Sequence, residues 1–140
     1  MKRAAVMIFV VSLSTTAQAV DNGSLALACK GTMTAGYEGA SRDPISMGLI
    51  VNFSSGTVEG LSAPGQFGYV PVKITGANEV TVSFDGSVRT NLGSDSSISG
   101  SIDRVTGDVE AYQRLTDSKT GKAISSTTYA LTCRPTQRMF

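Results

Sequence analysis

Histidine and tryptophan are both absent from this chain of 140 residues, and only two cysteines occur. Without histidine, neither a Ser-His-Asp triad nor a Cys-His pair can form, and no histidine-based metal site is possible. Two cysteines alone also fall short of the ligands that a structural zinc ion needs. No serine is followed three residues later by lysine, which excludes the Ser-x-x-Lys pattern of penicillin-recognising enzymes. The sequence therefore predicts no enzyme activity, no metal and no cofactor.

Charged residues are sparse, at 16% of the chain, and their formal net charge is +1. The Lys and Arg residues are scattered rather than clustered, whereas a surface for nucleic acid or an anionic membrane would need a basic patch. Neither partner is predicted. A membrane-spanning helix would need about 20 consecutive apolar residues, and no segment of the chain is that long, so no membrane span is predicted.

The first 19 residues have the three parts of a secretory signal peptide. Lys2 and Arg3 supply the positive start, and an almost entirely apolar stretch follows. Ala17 and Ala19 are the small residues that a signal peptidase recognises, so we expect cleavage after Ala19. Residues 20–140 should then form a single soluble domain in the periplasm or outside the cell. Loss of the two basic residues changes the formal net charge from +1 to −1.

Two cysteines remain in the exported domain, Cys29 near its start and Cys133 near its end. An even number of cysteines in an oxidising compartment favours a disulfide. Leu27 and Cys29 alternate on one face of a predicted strand, as do Leu131 and Cys133, so both sulfur atoms should point into the core. The alternative is attachment of a lipid to Cys29. It is less favoured because polar residues separate this cysteine from the apolar run of the leader.

Apolar residues alternate with polar ones in short segments separated by turn residues, which is typical of an antiparallel strand meander. Asp85-Gly86 predicts a tight turn, and residues 104–107 predict a hairpin. We expect an all-β domain of about seven to nine strands. A disulfide between the first and last strands favours a closed barrel, with a two-sheet sandwich as the alternative. The two clearest strands carry Ile45, Met47, Leu49, Val51 and Phe53, and then Val80, Val82 and Phe84.

Three segments predict long loops, at residues 36–44, 63–69 and 90–97. Loops on a rigid β scaffold commonly carry binding residues. Tyr37, Phe67 and Tyr69 are therefore candidate binding contacts. The alternative, which we favour, is that these aromatic side chains cover the ends of the barrel.

Carboxylates are the remaining candidates for acid–base chemistry, and Asp103 beside Arg104 serves as the example. Aspartate at the first position of a turn normally accepts hydrogen bonds from backbone N–H groups, and Gly107 suits a positive φ. We therefore favour a structural role for Asp103 over a catalytic one.

Residues 27–31, 100–107 and 129–134 read Leu-Ala-Cys-Lys-Gly, Gly-Ser-Ile-Asp-Arg-Val-Thr-Gly and Tyr-Ala-Leu-Thr-Cys-Arg. Together they resemble small exported β-proteins of alphaproteobacteria, over most of the domain. The chain is also similar in size, export and barrel form to the periplasmic lysozyme inhibitors. It lacks their Ser-Gly-x-x-Tyr loop and their aromatic-Lys-Gly segment. The resemblance implies an exported β fold and carries over no functional residue.

Three functional hypotheses follow. The first is a non-catalytic exported module that binds a protein or another component of the cell envelope. The second is a lipocalin-like carrier of a small apolar ligand, although barrels of about eight strands are often filled by their own side chains. The third, least favoured, is a hydrolase that uses carboxylates. The lumen of a carrier would be lined by Leu25, Met47, Leu49, Val51, Val82 and Ile102.

Overall fold

The computed structural model of the chain describes residues 23–36, 41–61, 72–90 and 93–136. Eight β-strands are formed by these residues, with short turns between several of them. They are β1 (Ser24–Ala35), β2 (Ser41–Asn52), β3 (Thr57–Glu59), β4 (Val72–Ala77), β5 (Thr81–Arg89), β6 (Ser94–Asp103), β7 (Asp108–Asp117) and β8 (Ala123–Pro135).

The strands close into an antiparallel barrel. Each strand pairs with the next one along the chain, and β1 pairs with β8 over nine residue positions. Cys29 and Cys133 lie directly opposite each other in this last pairing and form a disulfide. The predicted all-β meander, the closed barrel and the disulfide are therefore confirmed, and the sandwich alternative is wrong. Closure also pairs the two edges that an open sheet would expose.

Hydrophobic side chains fill the interior of the barrel, because successive side chains of a strand point to opposite faces of the sheet. Leu49, Val51, Val82 and Ile102, which were expected to face the lumen, are buried. Leu25 and Met47 are partly buried and pack against the same core. The other buried hydrophobic residues are Leu27, Cys29, Val58, Leu61, Val72, Phe84, Ile98, Val109, Ala111, Tyr129, Leu131 and Cys133.

Among the described residues, three polar side chains are buried with this core, and they lie toward the end where β5 connects to β6. They are Ser96, Gln113 and Thr127. The Tyr129 hydroxyl donates a long hydrogen bond to Gln113 Oε1, at 3.5 Å, and burial raises the pKa of this tyrosine. The interior therefore changes from apolar at one end of the barrel to partly polar at the other.

The turn predicted at Asp85-Gly86 is wrong, because β5 runs through both residues. The apolar alternation that begins at Val82 continues to Val88, and Gly86 takes the interior position between Phe84 and Val88. Across the pair, Gly86 lies opposite Ile98 of β6. The dipeptide is common in turns because glycine tolerates a positive φ, but a glycine in a strand can also make room for a larger neighbour.

Two predicted loops are also shorter than expected, because strand pairing extends into them. The first strand after the 36–44 segment begins at Ser41 rather than after Pro44, and β6 begins at Ser94, inside the 90–97 segment. Ser96 occupies an interior position opposite Val88. A small polar residue there interrupts the apolar alternation, so the sequence pattern does not reveal the start of β6.

The up-and-down order of the strands divides the connections between two ends. Turns at residues 53–56, 78–80 and 104–107 lie at the end where β1 begins and β8 ends. We call this the short-turn end. The strands β1, β3, β5 and β7 all finish at the opposite end of the barrel.

Candidate functional site

A cavity of about 190 Å³ opens at the short-turn end of the barrel. Leu25 of β1, Val51 of β2, Val82 of β5 and Ile102 of β6 line it with aliphatic side chains. The two largest fully buried side chains of the core, Tyr129 and Phe84, do not line it. Aliphatic side chains have smaller volumes than aromatic ones, so these strand residues do not completely fill this end of the interior. The ring of Phe53, from the turn after β2, also lines the cavity. Polar side chains contribute at the rim, from Asp103 and Arg104.

Each of the three turns at this end carries a large hydrophobic residue that is exposed. Phe53 is 39% exposed, Val80 is 52% exposed and Val105 is 75% exposed. Of these three residues, Phe53 also lines the cavity. The short-turn end therefore combines an apolar cavity with exposed hydrophobic side chains on the turns at the same end of the barrel.

The three turns share one device that fixes their shape. Asn52, Asn78 and Asp103 each stand at the start of a turn and accept hydrogen bonds from two backbone N–H groups further along it. The N–H groups belong to residues two and three positions on, and the donor–acceptor distances lie between 2.7 and 3.1 Å. Such Asx turns satisfy the backbone locally and rigidify it. The exposed hydrophobic residues are thus presented on well-defined backbone.

Hydrogen bonds also join neighbouring turns to one another. The backbone N–H of Arg104 donates to Val80 O at 2.7 Å, and its guanidinium Nη1 donates to Asn78 O at 2.5 Å. The guanidinium carbon lies 5.7 Å from the centroid of the Phe53 ring, within the range of a cation–π contact. Arg104 therefore connects all three turns at the rim of the cavity.

The Asp103 carboxylate is part of this framework rather than a free acid. Hydrogen bonds from the backbone N–H groups of Thr106 and Val105 lower its pKa. Gly107 follows with a positive φ of 81°. Within the described residues, the one ion pair joins Arg89 and Asp95, so Asp103 and Arg104 do not form one. This geometry fits the structural role expected for Asp103, and it leaves the guanidinium of Arg104 without a carboxylate partner among those residues.

The binding contacts predicted from the sequence are three aromatic residues, Tyr37, Phe67 and Tyr69. They lie outside the described residues, as do Ala17 and Ala19 of the predicted leader.

Sequence reasoning missed Phe53, Val80 and Arg104 as site residues. The alternation assigned the first two to strands, whereas the structure places both in turns. A usable signal was present, because Asn52 and Asn78 precede them and asparagine favours the first position of a turn. The meeting of three turns at one end follows only from the topology of the barrel.

No protein-family model, curated protein or solved structure matches the chain. Within the described ranges, no three His, Cys, Asp or Glu residues are grouped so that they could hold a metal ion. The same part of the chain contains no helix with the length and hydrophobicity to cross a bilayer.

Proposed function

We propose that the protein is an exported, non-catalytic interaction module that binds a partner protein of the cell envelope through the short-turn end of its barrel. The observation that carries this proposal is an apolar cavity, lined in part by Phe53, at the same end of the barrel as two turns that expose Val80 and Val105. Hydrophobic side chains that enter a pocket at the centre of a contact surface contribute most of the binding free energy in many complexes. Rigid turns reduce the entropy that is lost on binding.

The size of the cavity supports a protein partner. Sites for drug-sized ligands have volumes of about 300–1,000 Å³, whereas an apolar cavity of about 150 Å³ binds benzene. At about 190 Å³, the cavity matches one aromatic or large aliphatic side chain. The remaining contact would come from the exposed turns around it.

Site-specific photo-crosslinking in cells tests this proposal. p-Benzoylphenylalanine in place of Val105 should capture one defined envelope protein, because Val105 is the most exposed of the large hydrophobic residues described at the short-turn end. The same probe in place of Ile124, which is 51% exposed at the start of β8 and thus at the opposite end, is the matched control. The captured protein is then purified, and its affinity for the wild type and for Val105→Asp is measured. Capture at both positions alike, or equal affinity of both proteins, would contradict the proposal.

A carrier of a small apolar ligand is the second candidate, and the aliphatic lining of the cavity favours it. Native mass spectrometry of the protein from a periplasmic extract, without reductant, separates the two functions. Additional mass that is released on denaturation would identify a carried ligand. The same spectrum tests export, because cleavage after Ala19 and a disulfide predict the mass of residues 20–140 less two hydrogen atoms. A lipid adduct at Cys29 would contradict that expectation.

A further inference from the structure

The guanidinium group of Arg104 stands at the rim of the cavity. Among the described residues, this group makes one hydrogen bond, to Asn78 O, and no ion pair. A guanidinium has five N–H donors, and a carboxylate is the acceptor that matches their planar geometry best. The cavity and this group are adjacent, because Arg104 itself lines the cavity.

From this juxtaposition we infer that the short-turn end recognises the C-terminal residue of a partner polypeptide. The apolar side chain of that residue enters the cavity, and its terminal carboxylate binds the guanidinium of Arg104. This inference rests on the proposed function and specifies the segment of the partner that is bound. A C-terminal residue is a compact source of both groups, since its side chain and its carboxylate share one Cα atom.

The charges around the rim are compatible with a bound carboxylate. Arg104 is the one basic residue among the described residues that line the cavity. Two acidic side chains stand on the same turns, Asp103 and Glu79. Asp103 Oδ1 accepts hydrogen bonds from two backbone N–H groups, which offset part of its negative charge. The Phe53 ring and Asn78 O both contact the guanidinium and hold it at the rim.

Calorimetric titration with synthetic peptides tests the inference. The probes are the peptide Gly-Ser-Gly-Ser-Phe with a free carboxylate, the same peptide with a C-terminal amide, and an amidated version extended by Gly-Ser beyond the phenylalanine. We expect the free acid to bind at least about tenfold more tightly than either amide, as a charge-assisted hydrogen bond would produce. The preference should decrease as the salt concentration rises, because Arg104 is exposed.

Single substitutions test which side chains produce the preference for the free-acid peptide. Arg104→Met keeps an apolar stem over Phe53 and should abolish the preference for the free acid. Arg114→Met, which removes an exposed arginine from the outer face of β7, should leave it unchanged. Leu25→Phe places a larger side chain in the cavity at a partly buried position. It should weaken the binding of all three peptides and leave the circular dichroism spectrum unchanged.

The outcomes separate this inference from the proposed function. Equal binding of the acid and the amides would overturn recognition of a chain end and would still agree with an apolar contact. Binding of 3-phenylpropionate as tightly as the free-acid peptide would overturn a polypeptide source and indicate a small carboxylic acid. Failure of every probe to bind the wild type would overturn the inference, whereas the crosslink at position 105 decides the proposed function independently.

Discussion

The double substitution Cys29→Ala/Cys133→Ala removes a cross-link between residues 104 positions apart, so that nearly the whole domain lies in the closed loop. For a loop of about 100 residues, the chain-entropy model predicts a loss of about 4.7 kcal/mol in the free energy of unfolding. This is a large part of the roughly 5–15 kcal/mol that stabilises an ordinary domain. The nine-residue pairing between β1 and β8 remains, so we expect the variant to fold as the same barrel with lower stability.

Urea unfolding, followed by circular dichroism, measures both the midpoint and the slope m of the free energy against urea concentration. If the disulfide acts on the unfolded state, its removal lowers the midpoint and raises m, because the unfolded chain becomes more expanded. Leu131→Ala is the comparison. Leu131 is buried in β8, and its substitution should lower the free energy of unfolding by about 2–5 kcal/mol. The slope m should stay unchanged, because the substitution acts on the native core. An unchanged m in the cysteine variant would refute the entropic reasoning, and an unchanged midpoint would refute any stabilising role.

Two further predictions concern the barrel and its turns. A Cβ atom on Gly31 would lie 2.0 Å from the backbone oxygen of Ala130, whereas one on Gly48 would have no atom closer than 3.9 Å. Gly31→Ala should therefore lower the free energy of unfolding by about 1–3 kcal/mol, whereas Gly48→Ala should be tolerated. Thermal unfolding measures both variants, and equal melting temperatures would contradict this prediction. Hydrogen bonds from backbone N–H groups lower the pKa of Asp103 and Asp117 below the ordinary value of 3.8. The two ionised carboxylates therefore stabilise the folded state above about pH 3.8, and this stabilisation is lost as the pH falls through their lowered pKa. Asp103→Asn/Asp117→Asn should lessen the decline of the urea midpoint below about pH 4, and a decline identical to that of the wild type would contradict this.

The sequence predicts the barrel well because two independent patterns agree. Period-two alternation identifies a series of short strands, and the positions of Cys29 and Cys133 place the first strand beside the last. Together they favour the closed barrel over the sandwich, and the strand order in the structure decides between the two. The errors arise where a residue serves tertiary packing rather than local conformation. Gly86 takes an interior position opposite Ile98, and Ser96 takes one opposite Val88, so the alternation is hidden at both.

The candidate site could not be predicted in the same way, because it is assembled from turns that are distant in the sequence. Nothing in the local pattern around Phe53 indicates that the side chain of Arg104 will lie against its ring. Barrel closure brings them together, since the strand order places both turns at one end. The size of the cavity depends in turn on the sum of side-chain volumes in the interior, which alternation does not report.

The Asx turns themselves offer the strongest argument that the exposed hydrophobic residues have a role in binding. In these turns the first residue supplies the hydrogen-bond acceptor, so the turn geometry does not require a hydrophobic residue at the positions that follow. A fourth Asx turn, begun by Asp117, lies at the opposite end of the barrel and continues Ser-Lys-Thr. The same device therefore presents polar residues at one end of the barrel and Phe53, Val80 and Val105 at the other. Because the geometry of the Asx turns does not require hydrophobic residues at these positions, we propose contact with a partner at the short-turn end as the reason for the difference.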